Sequence, residues 1–189
     1  AVAAAVGFAG SVHADVIDDW NEQWLDTIRV VGGPPCPLAR NGAMLFAAIY
    51  DAVNSIEQTH EPYIGLVTSP GPANKRVAIA SAANKVLSTL YPDRVAVYNE
   101  QYEEHLAAIP NNARKLNGII LGEAAADQIL AARADDRTDS EPEYVYEDVP
   151  GAYRPTAPDF TQPPFNPGWG TTAPWTMATG SEFRPTGPL

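Results

Sequence analysis

Between Pro37 and Glu57 the chain reads PLARNGAMLFAAIYDAVNSIE, a stretch that is apolar almost all the way round at helical length. Leu38, Leu45, Ala48, Ile49, Ala52, Val53 and Ile56 follow one another at three- and four-residue steps, while Met44, Phe46, Ala47 and Tyr50 cover most of the remaining surface. At about 1.5 Å per residue such a helix is about 30 Å long, the width of a small domain. Its neighbours must cover it, so the sequence predicts an all-α fold: a bundle of about five helices around this central apolar helix. A narrow polar seam runs through Arg40, Asp51 and Asn54. A buried polar group without a partner costs roughly 1–3 kcal/mol, and Arg40 lies about 16 Å from Asp51 along the axis. Their expected partners are therefore on neighbouring helices or in a part of the protein beyond this chain.

Punctuation by proline and glycine sets the other elements. Asp15 to Val31 carries Ile17, Trp20, Trp24, Ile28 and Val31 at helical spacing, with Asp15, Asp18 and Asp19 placed against the positive end of the helix dipole, and Gly32-Gly33-Pro34-Pro35 ends it. Residues 59–72 read as loop, and Pro72 is expected to open a helix running through Val77, Ala80, Val86, Leu87 and Leu90. Pro92 starts another, with Val95, Tyr98, Tyr102, Leu106 and Ile109 on one side. The segment 113–134 carries Leu116, Ile119, Ile120, Ile129 and Leu130, with Ala124, Ala125 and Ala126 allowing close helix approach. Residues 15–134 thus form the expected helical half-domain.

From residue 135 to 189 the composition changes, because ten of the 18 prolines fall between Pro142 and Pro188, together with Tyr144, Tyr146, Tyr153, Phe160, Phe165, Trp169, Trp175 and Phe183. Proline opposes helix, and aromatic residues oppose plain disorder. The expected state is an extended strap whose rings dock on the helices. At the other end, residues 1–14 are small and apolar and finish in Val12-His13-Ala14, which reads as the tail of a signal peptide. This makes the protein secreted or periplasmic in expectation, and the tail is too short to span a bilayer.

The formal net charge is −11, from 12 Lys+Arg against 23 Asp+Glu, and the basic residues are scattered. Nucleic acid is thereby excluded as an expected partner, since phosphate binding needs a basic face. Cys36, the single cysteine, allows no intrachain disulfide and reads as a small residue in a Pro-rich turn.

Chemistry-bearing patterns are incomplete. A di-metal carboxylate site needs Glu-x-x-His pairs, and neither His60 nor His105 follows a Glu by three. Glu123 and Asp127, one turn apart, read as a solvated acidic face. His105, after Glu103-Glu104, reads as an exposed helix histidine rather than a base. There is no Gly-x-Ser-x-Gly elbow, dinucleotide fingerprint or P-loop; Gly180-Ser181 is the nearest Gly-Ser and lies in the strap. No catalytic, cofactor-binding or metal-binding residue is assigned.

Three groups of residues, taken in order, resemble the N-terminal part of bacterial vanadium-dependent haloperoxidase-like proteins of the type 2 phosphatidic acid phosphatase superfamily. The first is Gly32-Gly33-Pro34-Pro35, Ala39-Arg40 and Ala48-Ile49-Tyr50-Asp51-Ala52-Val53-Asn54. The second is Gly122-Glu123-Ala124-Ala125-Ala126 leading to Arg133-Ala134-Asp135-Asp136. The third is Tyr153-Arg154-Pro155-Thr156, Trp169-Gly170, Pro174-Trp175 and Phe183-Arg184-Pro185. The resemblance implies an enzyme in which vanadate activates peroxide to oxidise halide. It also implies that the vanadate ligands, a Lys with an Arg-Pro, a Ser-Gly-His and an Arg followed by Gly-x-His, lie after the strap in a C-terminal catalytic half. None of those motifs is in this chain, so the chain alone is expected to be inert and to bind no vanadate. Its expected partners are that missing half and a homo-oligomeric copy. The alternatives are an acid phosphatase of the same superfamily and a non-catalytic helical binding module.

Overall fold

The computed structural model describes residues 15–139 and 143–187, and the expected signal-peptide tail lies outside them. Among the described residues five helices make up the fold: α1 Val16–Val31, α2 Pro35–Glu57, α3 Lys75–Leu90, α4 Val95–Ala107 and α5 Ala113–Ala132. The described residues include no strand, and no helix among them is long and apolar enough to cross a membrane. Each boundary has a local cause. Gly32 and Gly33 take positive φ after α1, a conformation that glycine adopts without strain. Pro35 opens α2 in its first turn, where a missing N–H costs nothing. The side chains of Asn74 and Asn112 cap α3 and α5 by accepting from the backbone N–H groups of Val77 and Lys115.

Three expectations about the helices change. The helix after the 59–72 loop begins at Lys75 under the Asn74 cap rather than at Pro72, because a side chain that satisfies an orphan N–H fixes the start more firmly than a proline that merely tolerates it. The centre of the bundle is α3 and not α2: α3 packs against α1, α2, α4 and α5, and every residue from Val77 to Ala83 is buried. Four of those seven are alanine, so neighbours approach on all sides where larger side chains would hold them off. Leu116 and Ile120, expected in the core, point outward at 58% and 38% exposure.

The outward turn of Leu116 and Ile120 follows from how α5 meets α3. The two helices approach through Gly118 and Gly122. A Cβ added at Gly122 would stand 2.3 Å from the Ala78 carbonyl oxygen, and one at Gly118 2.7 Å from the Asn74 carbonyl oxygen. With glycines inward, Leu121, Ala125, Ala126 and Ile129 complete the buried face. On the other side of the bundle, Trp20 and Trp24 of α1 are buried, and Trp24 fits the space left by Gly42 of α2. The Thr27 hydroxyl and the Tyr98 hydroxyl share a buried hydrogen bond of 3.0 Å that joins α1 to α4.

Residues 143–187 contain no α-helix, only a 3-10 turn at Pro167–Thr171. Of the strap's rings, Trp175 packs against the helical core. Phe160, Phe165 and Phe183 are at least 65% exposed, and Tyr144, Tyr146 and Tyr153 pack on one another. The expectation that the rings dock on the helices therefore holds at one position and fails at most others. Proline-rich backbone offers few N–H donors to hold the chain against a helix surface.

Candidate functional site

The polar seam of α2 is resolved in two separate places. At its C-terminal half, Asp51 is buried and accepts hydrogen bonds from the backbone N–H groups of Tyr63 and Ile64, at 2.6 and 2.8 Å. Asn54 pairs with the backbone of His60, donating to its carbonyl and accepting from its N–H. Ser55 receives the N–H of Val67. The partners expected on neighbouring helices are thus main-chain groups of the following loop. This is a short-range solution: a loop doubling back on its own helix supplies N–H groups that have no ladder of their own.

At the N-terminal half, Arg40 does pair with a neighbouring helix end. Its Nε donates to Asp136 Oδ2 at 2.6 Å and its Nη2 to the carbonyl of Arg133 at 2.7 Å, while Nη1 reaches Asn41. Arg133 Nε donates to the same Asp136 oxygen at 3.0 Å. The other two nitrogens of Arg133 donate to the carbonyls of Pro174 and Ala173, and its guanidinium lies over the Trp175 ring. Asp136 is 2% exposed in its side chain and Arg133 5%. Two guanidinium charges facing one carboxylate leave an excess positive charge, which the three carbonyls and the indole face disperse.

Burial alone would raise the Asp136 pKa. The Arg40 and Thr138 hydrogen bonds and the charges of Arg40 and Arg133 outweigh it and hold the carboxyl below its ordinary 3.8. The strap closes the network. Ala173 N–H donates to the Asp136 carbonyl, Tyr63 O–H donates to the Trp175 carbonyl at 2.9 Å, and the Tyr63 and Trp175 rings lie 5.5 Å apart. Through Tyr63 the two halves of the α2 seam become one continuous polar path.

A second feature is an open groove of about 530 Å³ between α1 and α4, lined by Asp19, Glu22, Asp26, Glu100, Glu104 and His105, among others. His105 is not the exposed histidine expected. Its side chain is 14% exposed and its ring packs 6.1 Å from that of Trp20. Burial lowers its pKa, Asp19 at 3.8 Å opposes this, Arg76 adds to the lowering and Glu104 opposes it; the net shift is downward. Glu123 stays on the surface, and Asp127 pairs across to Lys85 of α3 at 2.7 Å. Cys36 is a half-buried free thiol.

Set beside known proteins, the chain matches no family model, no curated protein and no solved structure.

Among the described residues no group of three or more His, Cys, Asp or Glu is placed to hold a metal ion. The Arg40–Asp136–Arg133 cluster does not fit vanadate. A trianionic oxyanion needs several uncommitted N–H donors converging on one point. Here each guanidinium nitrogen of Arg40 and Arg133 spends an N–H within the protein, and the Asp136 carboxylate already occupies the focus where an anion would sit. The cluster fastens α2, α5 and the strap together. Sequence reasoning registered its members as scattered pieces and missed their convergence. The available signal was the Arg133-x-x-Asp136 spacing immediately after the apolar period of α5 ends.

Proposed function

We propose that this chain is the helical N-terminal scaffold of a secreted enzyme resembling the vanadium-dependent haloperoxidases, with the oxyanion-binding residues outside these 189 residues. One observation carries the reading. The three groups of residues that bear the resemblance lie far apart in sequence, yet each contributes to one buried cluster: Arg40 from the first, Arg133 and Asp136 from the second, and Pro174-Trp175 from the third. In this reading the cluster's work is mechanical: it holds the strap against the bundle at a set angle, so that a catalytic half attached to the strap is positioned relative to α2 and α5.

The test is the reading frame beyond Leu189 and the activity of its product. The proposal expects Lys…Arg-Pro, Ser-Gly-His and Arg…Gly-x-His downstream, and peroxide-dependent bromide or chloride oxidation that requires added vanadate. Hydrolysis of a phosphate monoester without halide oxidation would transfer the reading to an acid phosphatase. A frame lacking the three motifs would end both.

A second reading, a non-catalytic binding module, is favoured by the exposed rings of the strap. It expects binding of a ligand by this chain with no gain of activity from any downstream segment.

A further inference from the structure

Tyr144 and Tyr146 stand with their rings 5.3 Å apart and at 82° to each other, forming an aromatic corner. Both line a cavity of about 530 Å³ completed by Phe165, by Asn166, by prolines from the strap and by Pro34, just before α2. Phe165 is 73% exposed and Tyr146 52%, so the walls of this cavity are open to an incoming group. Asn166, held at φ 48°, carries a side-chain oxygen that is buried and has no hydrogen-bond partner among the described residues.

The electrostatics of this corner favour a cation. Among the described residues no Lys or Arg lines the cavity. Tyr146 also lines the adjoining cavity beside Glu147 and Asp148, and the cation there, Arg154, is paired with Asp148. Aromatic faces carry negative quadrupole potential, which attracts a cation seated against them. A primary ammonium brings three N–H donors that each need an acceptor, whereas the lining is mostly aromatic rings and prolines, with no carboxylate among the described residues that form it. A quaternary ammonium brings no N–H donor and only polarised methyl groups, which suit ring faces.

We propose that the Tyr144–Tyr146–Phe165 cavity binds the quaternary ammonium head of a choline-like group. The proposal is independent of the enzyme reading, because it uses none of the residues of the Arg40–Asp136–Arg133 cluster and would stand if that reading failed.

Titration of the full chain with choline, followed by tyrosine ring NMR signals, tests it. The expected result is saturable binding. Binding of 3,3-dimethylbutan-1-ol, which has the same shape without the charge, should be about ten-fold weaker, and methylammonium should be weaker than tetramethylammonium. Tyr146→Phe should retain choline binding and Tyr146→Ala should lose it, with helical circular dichroism unchanged in both. Phosphatidylcholine vesicles form a second arm: co-sedimentation assigns the head to a lipid, and choline binding without it assigns a soluble ligand. Equal binding of choline and its neutral isostere, or saturable binding in neither arm, overturns the proposal.

Discussion

The guanidinium of Arg133 lies over the indole of Trp175 with its central carbon 4.4 Å from the ring centroid, while two of its nitrogens donate to the carbonyls of Ala173 and Pro174. One side chain at the end of α5 therefore grips three consecutive strap residues from the face and from the edge. Trp175→Ala removes the ring that Arg133 and Tyr63 both pack on. A loss of about 1–2 kcal/mol from the stacking alone should speed protease cleavage of residues 169–184 roughly ten-fold, with the helical circular dichroism of the bundle unchanged. Unaltered cleavage kinetics would show that the strap is held elsewhere.

The same cluster predicts an acid-labile strap. The folded pKa of Asp136 is depressed, so the carboxylate contributes stability that is present above its unfolded value and is lost as pH falls through the folded value. Tryptophan fluorescence should report strap release at a pH below the ordinary carboxylate range. In Asp136→Asn the strap should be loosened at neutral pH, and the acid transition should be gone.

Gly122 of α5 faces backbone that cannot move aside. Gly122→Ala places a Cβ 2.3 Å from the Ala78 carbonyl oxygen and should destabilise the bundle by about 1–3 kcal/mol or more, despite the better helix propensity of alanine. Gly170→Ala, with nothing within 4 Å of its added Cβ, should stay within about 0.5 kcal/mol of the parent. Guanidinium unfolding midpoints compare the two directly.

Asp51 receives two backbone N–H groups, one on each oxygen. Asparagine at this position keeps one acceptor and turns an amide donor toward the other N–H, so Asp51→Asn should cost about 1.5–3 kcal/mol. Amide exchange of Tyr63 or Ile64 should accelerate first; exchange confined to α2 would contradict the loop-holding role.

His105 has its folded pKa lowered, by burial first. The unfolded chain therefore binds its proton more readily, and stability falls as pH drops from the ordinary histidine value of 6.5 through the folded value. His105→Gln should flatten that slope, and an NMR titration of the ring should show a midpoint below 6.5. A midpoint on the other side of that value would mean that Asp19 outweighs burial.

The all-helical class was legible from the chain alone because it rests on local periodicity and on punctuation. Apolar residues recur at three- and four-residue steps in α1 and α2, and Gly32-Gly33 and Pro92 stop or start elements by their own backbone chemistry. The change of character after residue 135 was legible for the same reason. Which helix lies at the centre was not. An apolar α2 signals burial, yet the alanines of α3 and the glycines of α5 decide the closest approach, and a small side chain carries no hydrophobic signal of its own until a neighbour's backbone fills the space above it. Nor did spacing reveal that Asp51 would be met by the loop of Tyr63, or that Arg40, Arg133, Asp136 and Trp175 would converge. Those pairings are set by where the helix ends come to rest, and only the packed tertiary structure brings residues from α2, α5 and the strap within hydrogen-bond distance.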